Sequence, residues 1–214
     1  MIVSFSGIDS AGKTTQIELL CQYCEEKKIK YKKMWSKARG TPGVVWLKEL
    51  IRKDKKMNEK EKAEYRAEVF QNSKKKKLLY IASMLDLCWY WGIYYRVLNL
   101  TNKIVICDRY LWDTYVEVTK KDFCGIDVEH SILWKMVKAF TPKPKRSFVF
   151  IIPAEESLKR DYNKNAAGIE NIEIKKKKID CYMKCVENQC WTNVMDGMRN
   201  IEELHEDVLK IIGM

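Results

Sequence analysis

Glycine and proline are scarce in this chain, 9 and 4 among 214 residues, which excludes collagen-like proteins and the Pro/Gly-rich disordered class. Histidine is scarcer still, at 2, and no second CxxC accompanies Cys21 and Cys24, so that pair lacks the partners a zinc site needs. A membrane span, roughly 18 to 20 apolar residues long, is missing as well. Leu78 to Leu85 is among the longest apolar runs. Met1–Phe5 leads straight into a glycine-bounded motif without the basic and apolar segments of an export signal. These shortages set the expectation of a cytoplasmic protein with no membrane partner. Its 8 cysteines then stay reduced and structural, Cys181 and Cys185 included.

What is abundant is positive charge. Lys and Arg exceed Asp and Glu by 40 to 29, a net +11 that favours anionic partners. The lysine runs at 74–77 and 175–178 carry no interleaved aromatics and no nucleic-acid signature. They read as solvated helix faces, and no nucleic-acid partner is expected. With 46% apolar residues and no low-complexity linker or internal repeat, residues 1–214 are expected to form a single domain able to bury its own core.

Five segments read as strands: Ile2 to Phe5, Ile29 to Trp35, Lys103 to Cys107, Ser147 to Ile152 and Trp191 to Met195. Helical patterns fill 13–27, 46–51, 77–100, 112–119, 127–140, 154–162, 175–189 and 200–212, and the charged stretch 54–64 is expected to be a mobile insertion. The 77–100 segment is too apolar and aromatic all round for a surface helix, so something must cover it. Apolar strands alternating with helices predict an α/β fold. It would be a three-layer sandwich, with about five parallel strands and helices on both faces.

Gly7-Ile8-Asp9-Ser10-Ala11-Gly12-Lys13-Thr14 satisfies GxxxxGK[ST] between a strand and a helix. In that context, which makes the expected sandwich one of the P-loop NTPase type, the backbone N–H groups of Gly7, Ser10, Ala11, Gly12, Lys13, Thr14 and Thr15 form a nest for the phosphates of a nucleoside triphosphate. Lys13 brings a positive charge to the β- and γ-phosphates, and the Thr14 hydroxyl is a Mg²⁺ ligand. No guanine-reading NKxD is present, which argues against a GTPase. Cys107-Asp108-Arg109-Tyr110 ends an apolar strand at the edge where α/β sheets bind ligands. Asp108 there could hold a magnesium-bound water, and Arg109 could grip an acceptor phosphate bidentately.

At this point the sequence resembles the thymidylate kinase family of nucleoside monophosphate kinases. The resemblance rests on SFSGIDSAGKTTQ, ARGTPG at 38–43, LLYIASM at 78–84, IVICDRY at 104–110, SLKRDYNKN at 157–165 and NVMDGMRNIEELHEDV at 193–208. It implies ATP and Mg²⁺ as cofactors, dTMP as the acceptor, a homodimer, and a helical lid over about 158–175. It also implies that Asp9 sits by the acceptor sugar, Arg39 and Arg109 by the acceptor phosphate with Tyr110 beside them, and that Tyr80 stacks on the base. Lys159, Arg160 and Lys164 fall in the lid. Because Ser10 stands where some members carry a P-loop arginine, Arg160 is expected to join Lys13 and Arg109 as a catalytic cation.

Two features depart from the family pattern. Met84 replaces an arginine that reads the pyrimidine edge, and a thioether cannot donate that hydrogen bond. Trp89, Tyr90, Trp91, Tyr94 and Tyr95 make the following segment unusually aromatic, which fits core or subunit-interface packing. An alternative reading therefore keeps the fold and changes the acceptor to another small metabolite or nucleotide. A third reading, a nucleotide-binding regulatory protein, sits poorly with the presence of Asp9, Arg39 and DRY.

Overall fold

A computed structural model of the chain describes residues 1–35, 73–120, 127–164 and 169–214. Arg39, the 46–51 helix, the 54–64 insertion and part of the lid segment lie outside the described residues. The described residues fall into two compact units. One lies within Met1–Ser36, Leu98–Lys120 and Lys143–Met214, the other within Lys37–Val97 and Lys121–Pro142.

The first unit holds a five-stranded parallel sheet in the order β2-β3-β1-β4-β5, as the alternating pattern predicts. The strands are β1 (Ile2–Gly7), β2 (Tyr31–Trp35), β3 (Ile104–Asp108), β4 (Arg146–Ile151) and β5 (Asn193–Asp196). Every residue of the central β1 is buried, and Phe5 stacks on Phe148 and Phe150 of β4 with ring centroids 5.2 and 6.1 Å apart. The edge strand β2 carries two adjacent lysines, Lys32 half-buried and Lys33 exposed, a composition that discourages further strand pairing.

Helix α1 (Lys13–Glu26) carries the chain from β1 to β2, past β3, whereas the connection leaving β3 runs the opposite way to β4. Right-handed crossovers therefore put these connections on opposite faces and open a crevice beyond the ends of β1 and β3. Helix α1 packs with α8 (Ile201–Ile212) on one face. On the other, α7 (Ile172–Glu187) packs with α4 (Leu111–Lys120) and α6 (Ala154–Asn163).

Helix α2 (Ser73–Trp89) of the second unit passes through one π-helical stretch, Tyr90–Tyr94, into α3 (Tyr95–Asn99), and packs with α5 (Ile132–Phe140) of the same unit. The expected uninterrupted helix is thus interrupted. At Gly92 a Cβ would lie 3.2 Å from Phe140 Cβ, so glycine permits the close approach at this stretch. The wider π turn also keeps side chains four residues apart in line. Tyr80, Met84, Leu87, Trp91 and Tyr95 are buried, whereas Leu85, Trp89, Ile93 and Val97 are exposed, so only part of this apolar segment is covered. Helix α5 starts five residues later than its periodicity suggests. Asp127 accepts from the Glu129 and His130 backbone N–H groups and holds that segment as a turn.

Candidate active site

β1 delivers the chain to Gly7, whose φ of 130° and proximity to β4 both demand glycine: a Cβ would lie 2.3 Å from the Phe150 carbonyl oxygen. Ser10 at φ 58° and Gly12 at φ 95° continue the bend, and Gly12 caps α1. Successive N–H groups and the helix N-terminus thereby converge on the inside of the loop. Thr14 is exposed and Thr15 half-buried at the start of α1, while Ala11 is buried. Lys13 is buried and folds back to donate to the Ile8 carbonyl oxygen. Burial, reinforced by the charge of Arg109, brings its ammonium down from 10.5 to about 7.

The second half of the site comes from β3, whose register sets Asp108 beside Phe5 of β1. Arg109 follows at φ 70°, an unusual backbone for a non-glycine residue, with its N–H on the Phe5 carbonyl oxygen at 2.9 Å. The residue is 5% exposed, and its guanidinium donates to the Gly7 carbonyl oxygen at 3.2 Å and pairs with the Asp9 carboxylate. Asp9 and Arg109, read from separate motifs, are thus joined directly. Tyr110 is buried next to them.

Asp113, which sequence reasoning passed over, organises this region. It lies at the third position of α4 and reaches back to the Tyr110 N–H at 3.1 Å, the return half of a capping box. The same carboxylate accepts from Ser6 Oγ at 2.6 Å, from the Gly7 N–H at 3.3 Å and from Tyr182 OH at 2.7 Å, and lies 3.5 Å from Arg109. It therefore ties the start of the P-loop to the DRY turn from within the core. Burial and the neighbouring Asp113 push the Tyr182 phenol well above its ordinary range, which keeps it a donor. One residue on, the buried Thr114 Oγ1 has no hydrogen-bond partner among the described residues.

Arg160 on α6 donates to the Gly197 carbonyl oxygen at 3.1 Å and lies 3.5 Å from that of Ser10, with Glu156 holding its Nε at 2.7 Å. The lid cation singled out from sequence is thus set against the P-loop rim. Gly197, past the end of β5, is a further contributor: a Cβ there would lie 2.7 Å from the Ala11 carbonyl oxygen and 2.7 Å from Ile152 Cγ2. Its only sequence signal was an Asp-Gly pair after a strand. Gly197→Ala is expected to push the loop backbone away, weakening ATP binding about tenfold and lowering stability by about 1–3 kcal/mol. ATP titration and thermal unfolding read the two effects.

The lysine run 175–178 departs from its expected solvated state. Lys176 and Lys177 face solvent, but Lys175 and Lys178 are buried at 1% and 4% exposure. The run spans a full helical turn, so two of its members face the body of the protein. Each has found carboxylate partners, Asp161 for Lys175, and Glu117 and Glu170 for Lys178.

Tyr80 and Met84 belong to the second unit. Tyr80 donates to Ser131 Oγ at 3.0 Å and lines a cavity of about 410 Å³ with Lys77, Ile81 and His130, while Met84 is buried. The Cys21 and Cys24 thiols are pushed up, chiefly by burial, which makes them poor nucleophiles. No described helix is long and apolar enough to cross a membrane.

A family model described as thymidylate kinase matches residues 5–208. A thymidylate kinase of Fervidobacterium nodosum is 29% identical, covering 100% of this chain and 98% of the relative. One of Sulfurihydrogenibium sp. is 30% identical, covering 97% and 94%. A solved thymidylate kinase structure from Ehrlichia chaffeensis is similar in fold, with a TM-score of 0.56 at 20% identity over 100% of this chain and 98% of that one.

Proposed function

The chain belongs to the thymidylate kinase family, and from that membership we propose that it is a cytoplasmic nucleotide kinase moving the γ-phosphoryl group of ATP to the phosphate of dTMP. The observation that carries this reading is the junction of P-loop and DRY turn on adjacent strands, with Asp9 and Arg109 paired across it. On that side Arg109 offers a buried guanidinium, suited to a second phosphate.

Two anionic substrates repel, so the protein's task is to neutralise and align them. Lys13 and the loop N–H groups hold the triphosphate; Arg109, with Arg39, holds the acceptor phosphate, and Asp9 orients both Arg109 and the acceptor sugar. Tyr110 buttresses the turn, and Tyr80 and Met84 line the base side. Mg²⁺ suits the donor set, all oxygen: Thr14 and Asp108 would hold it, and it would supply charge neutralisation between the phosphates. Residues of about 158–175 form the lid that excludes water from the transfer, and residues 1–214 work as one catalytic domain.

The direct test is an ADP-release assay over a panel of nucleoside monophosphates. Release with dTMP, and almost none without acceptor, is expected. Rapid ATP hydrolysis without acceptor, or silence across the panel, would sink the reading. Arg160→Ala is expected to lower the turnover number roughly a hundredfold, as loss of one preorganised transition-state donor does elsewhere. Unchanged turnover in a folded variant would remove Arg160 from the catalytic set.

The family likeness also supports a homodimer. The exposed line Leu85, Trp89, Ile93 and Val97 offers an apolar face for it. Sedimentation at micromolar concentration is expected to give twice the 25.4 kDa chain mass, and Trp89→Glu to return a monomer.

A further inference from the structure

The P-loop's two central residues are held from behind by a buried polar chain that neither the motif nor the proposed chemistry uses. Lys175 Nζ, on α7, donates to Asp161 Oδ2 at 2.6 Å and to Ser157 Oγ at 2.8 Å, both on α6. The other oxygen of Asp161 accepts from Ser10 Oγ at 2.6 Å, and Ser157 Oγ donates to the Asp9 carbonyl oxygen at 2.8 Å. The side chains of Lys175 and Asp161 are 2% and 7% exposed. The Ser10 and Ser157 hydroxyls and two of the Lys175 N–H groups are matched to acceptors, which helps make so buried a charge tolerable.

We propose that Lys175 is a positioning residue for phosphoryl transfer. Through Asp161 and Ser157 it fixes Ser10 and Asp9 in the loop conformation that receives the triphosphate. Ser10 sits at φ 58°, a backbone that a serine does not favour, and its hydroxyl is the handle by which Asp161 keeps it there. Helices α6 and α7 are the two stems of the lid segment, so the same ion pair that joins the stems also sets the loop. Lys178 completes the arrangement one turn further along α7. It pairs with Glu117 at 2.9 Å and Glu170 at 2.7 Å and lies 3.8 Å from the Asp9 carboxylate.

The inference rests on the kinase reading only in taking ATP as the ligand. Its test is a double-mutant cycle on the full chain, measuring equilibrium binding of Mg²⁺-ATP and of dTMP by calorimetry. Lys175→Met and Ser10→Ala are each expected to weaken ATP binding about tenfold, and Ser10→Ala, which leaves the Ser157–Asp9 branch intact, to keep dTMP binding within about twofold. Because both act through one tether, the double variant is expected to bind no worse than the weaker single one. Lys175→Arg, which keeps the charge, is expected to recover part of the loss. Multiplicative losses in the double variant, or wild-type ATP affinity in Ser10→Ala, would overturn the proposal. Ser10→Ala leaves the Lys175–Asp161 pair in place, so it decides the matter even where Lys175→Met fails to fold. A wild-type chain that binds no ATP fails the kinase reading instead.

Discussion

Asp113→Ala is expected to cost about 3–5 kcal/mol of stability, because it removes the buried carboxylate and leaves its partners unpaired in the core. Those partners are Ser6 Oγ, the Gly7 and Tyr110 N–H groups and Tyr182 OH, with the Arg109 guanidinium alongside. Water cannot replace the lost acceptor readily, since Asp113, Ser6 and Tyr182 are 1% exposed. For a chain of this length the midpoint of thermal unfolding should fall by roughly 6–20 °C. Below that midpoint the folded variant should also turn over roughly a hundredfold more slowly, because Arg109 and the Gly7 end of the loop lose their common anchor. Asp113→Asn keeps the shape and one accepting oxygen, so its losses should be smaller in both measurements. An unfolding midpoint for Asp113→Ala at the wild-type temperature would show that the carboxylate does not hold this region.

The same residue marks where sequence reasoning stops. The strands could be read because buried parallel strands are nearly continuous apolar runs, and the P-loop and DRY because their chemistry is local in sequence. Asp9 and Arg109 were singled out separately, and the register of β1 against β3 brings them together. Asp113 left no comparable trace. An aspartate in the first turn of an amphipathic helix looks like an ordinary solvated cap until the fold surrounds it. Tyr182 and Lys175 were hidden for a related reason. They lie on α7, where buried polar positions have helical spacing but the wrong chemistry for a hydrophobic pattern. A run of four lysines reads as surface because isolated buried ammonium groups are costly; the partners that change that balance lie outside the run, at Asp161, Glu170 and Glu117. The π-helical stretch at Tyr90–Tyr94 was likewise illegible, since a bulge of one residue per turn leaves apolar periodicity almost unchanged.

Lys13→Met should lower phosphoryl transfer roughly a thousandfold, the largest loss expected of any single change to the site, and leave the fold intact. The fold should survive because burial already penalises the Lys13 charge, as its fall to about 7 records, and methionine fills similar space without that penalty. The same property makes nucleotide binding depend on pH. Above pH about 7 the ammonium in this structure is mostly deprotonated. A triphosphate beside it favours the charged form, so binding there must take up a proton. ATP affinity is therefore expected to decline as pH rises from about 7.5 to 9.5, by up to tenfold per unit, and to be flat in Lys13→Met. Calorimetry in two buffers of different ionisation enthalpy should detect uptake approaching one proton per ATP near pH 8.5. The variant should take up none over the same range, because the phosphates of free ATP are already ionised there. A wild-type affinity independent of pH in that window would mean that the ammonium keeps its proton in the loop. The turnover loss would then stand on charge alone.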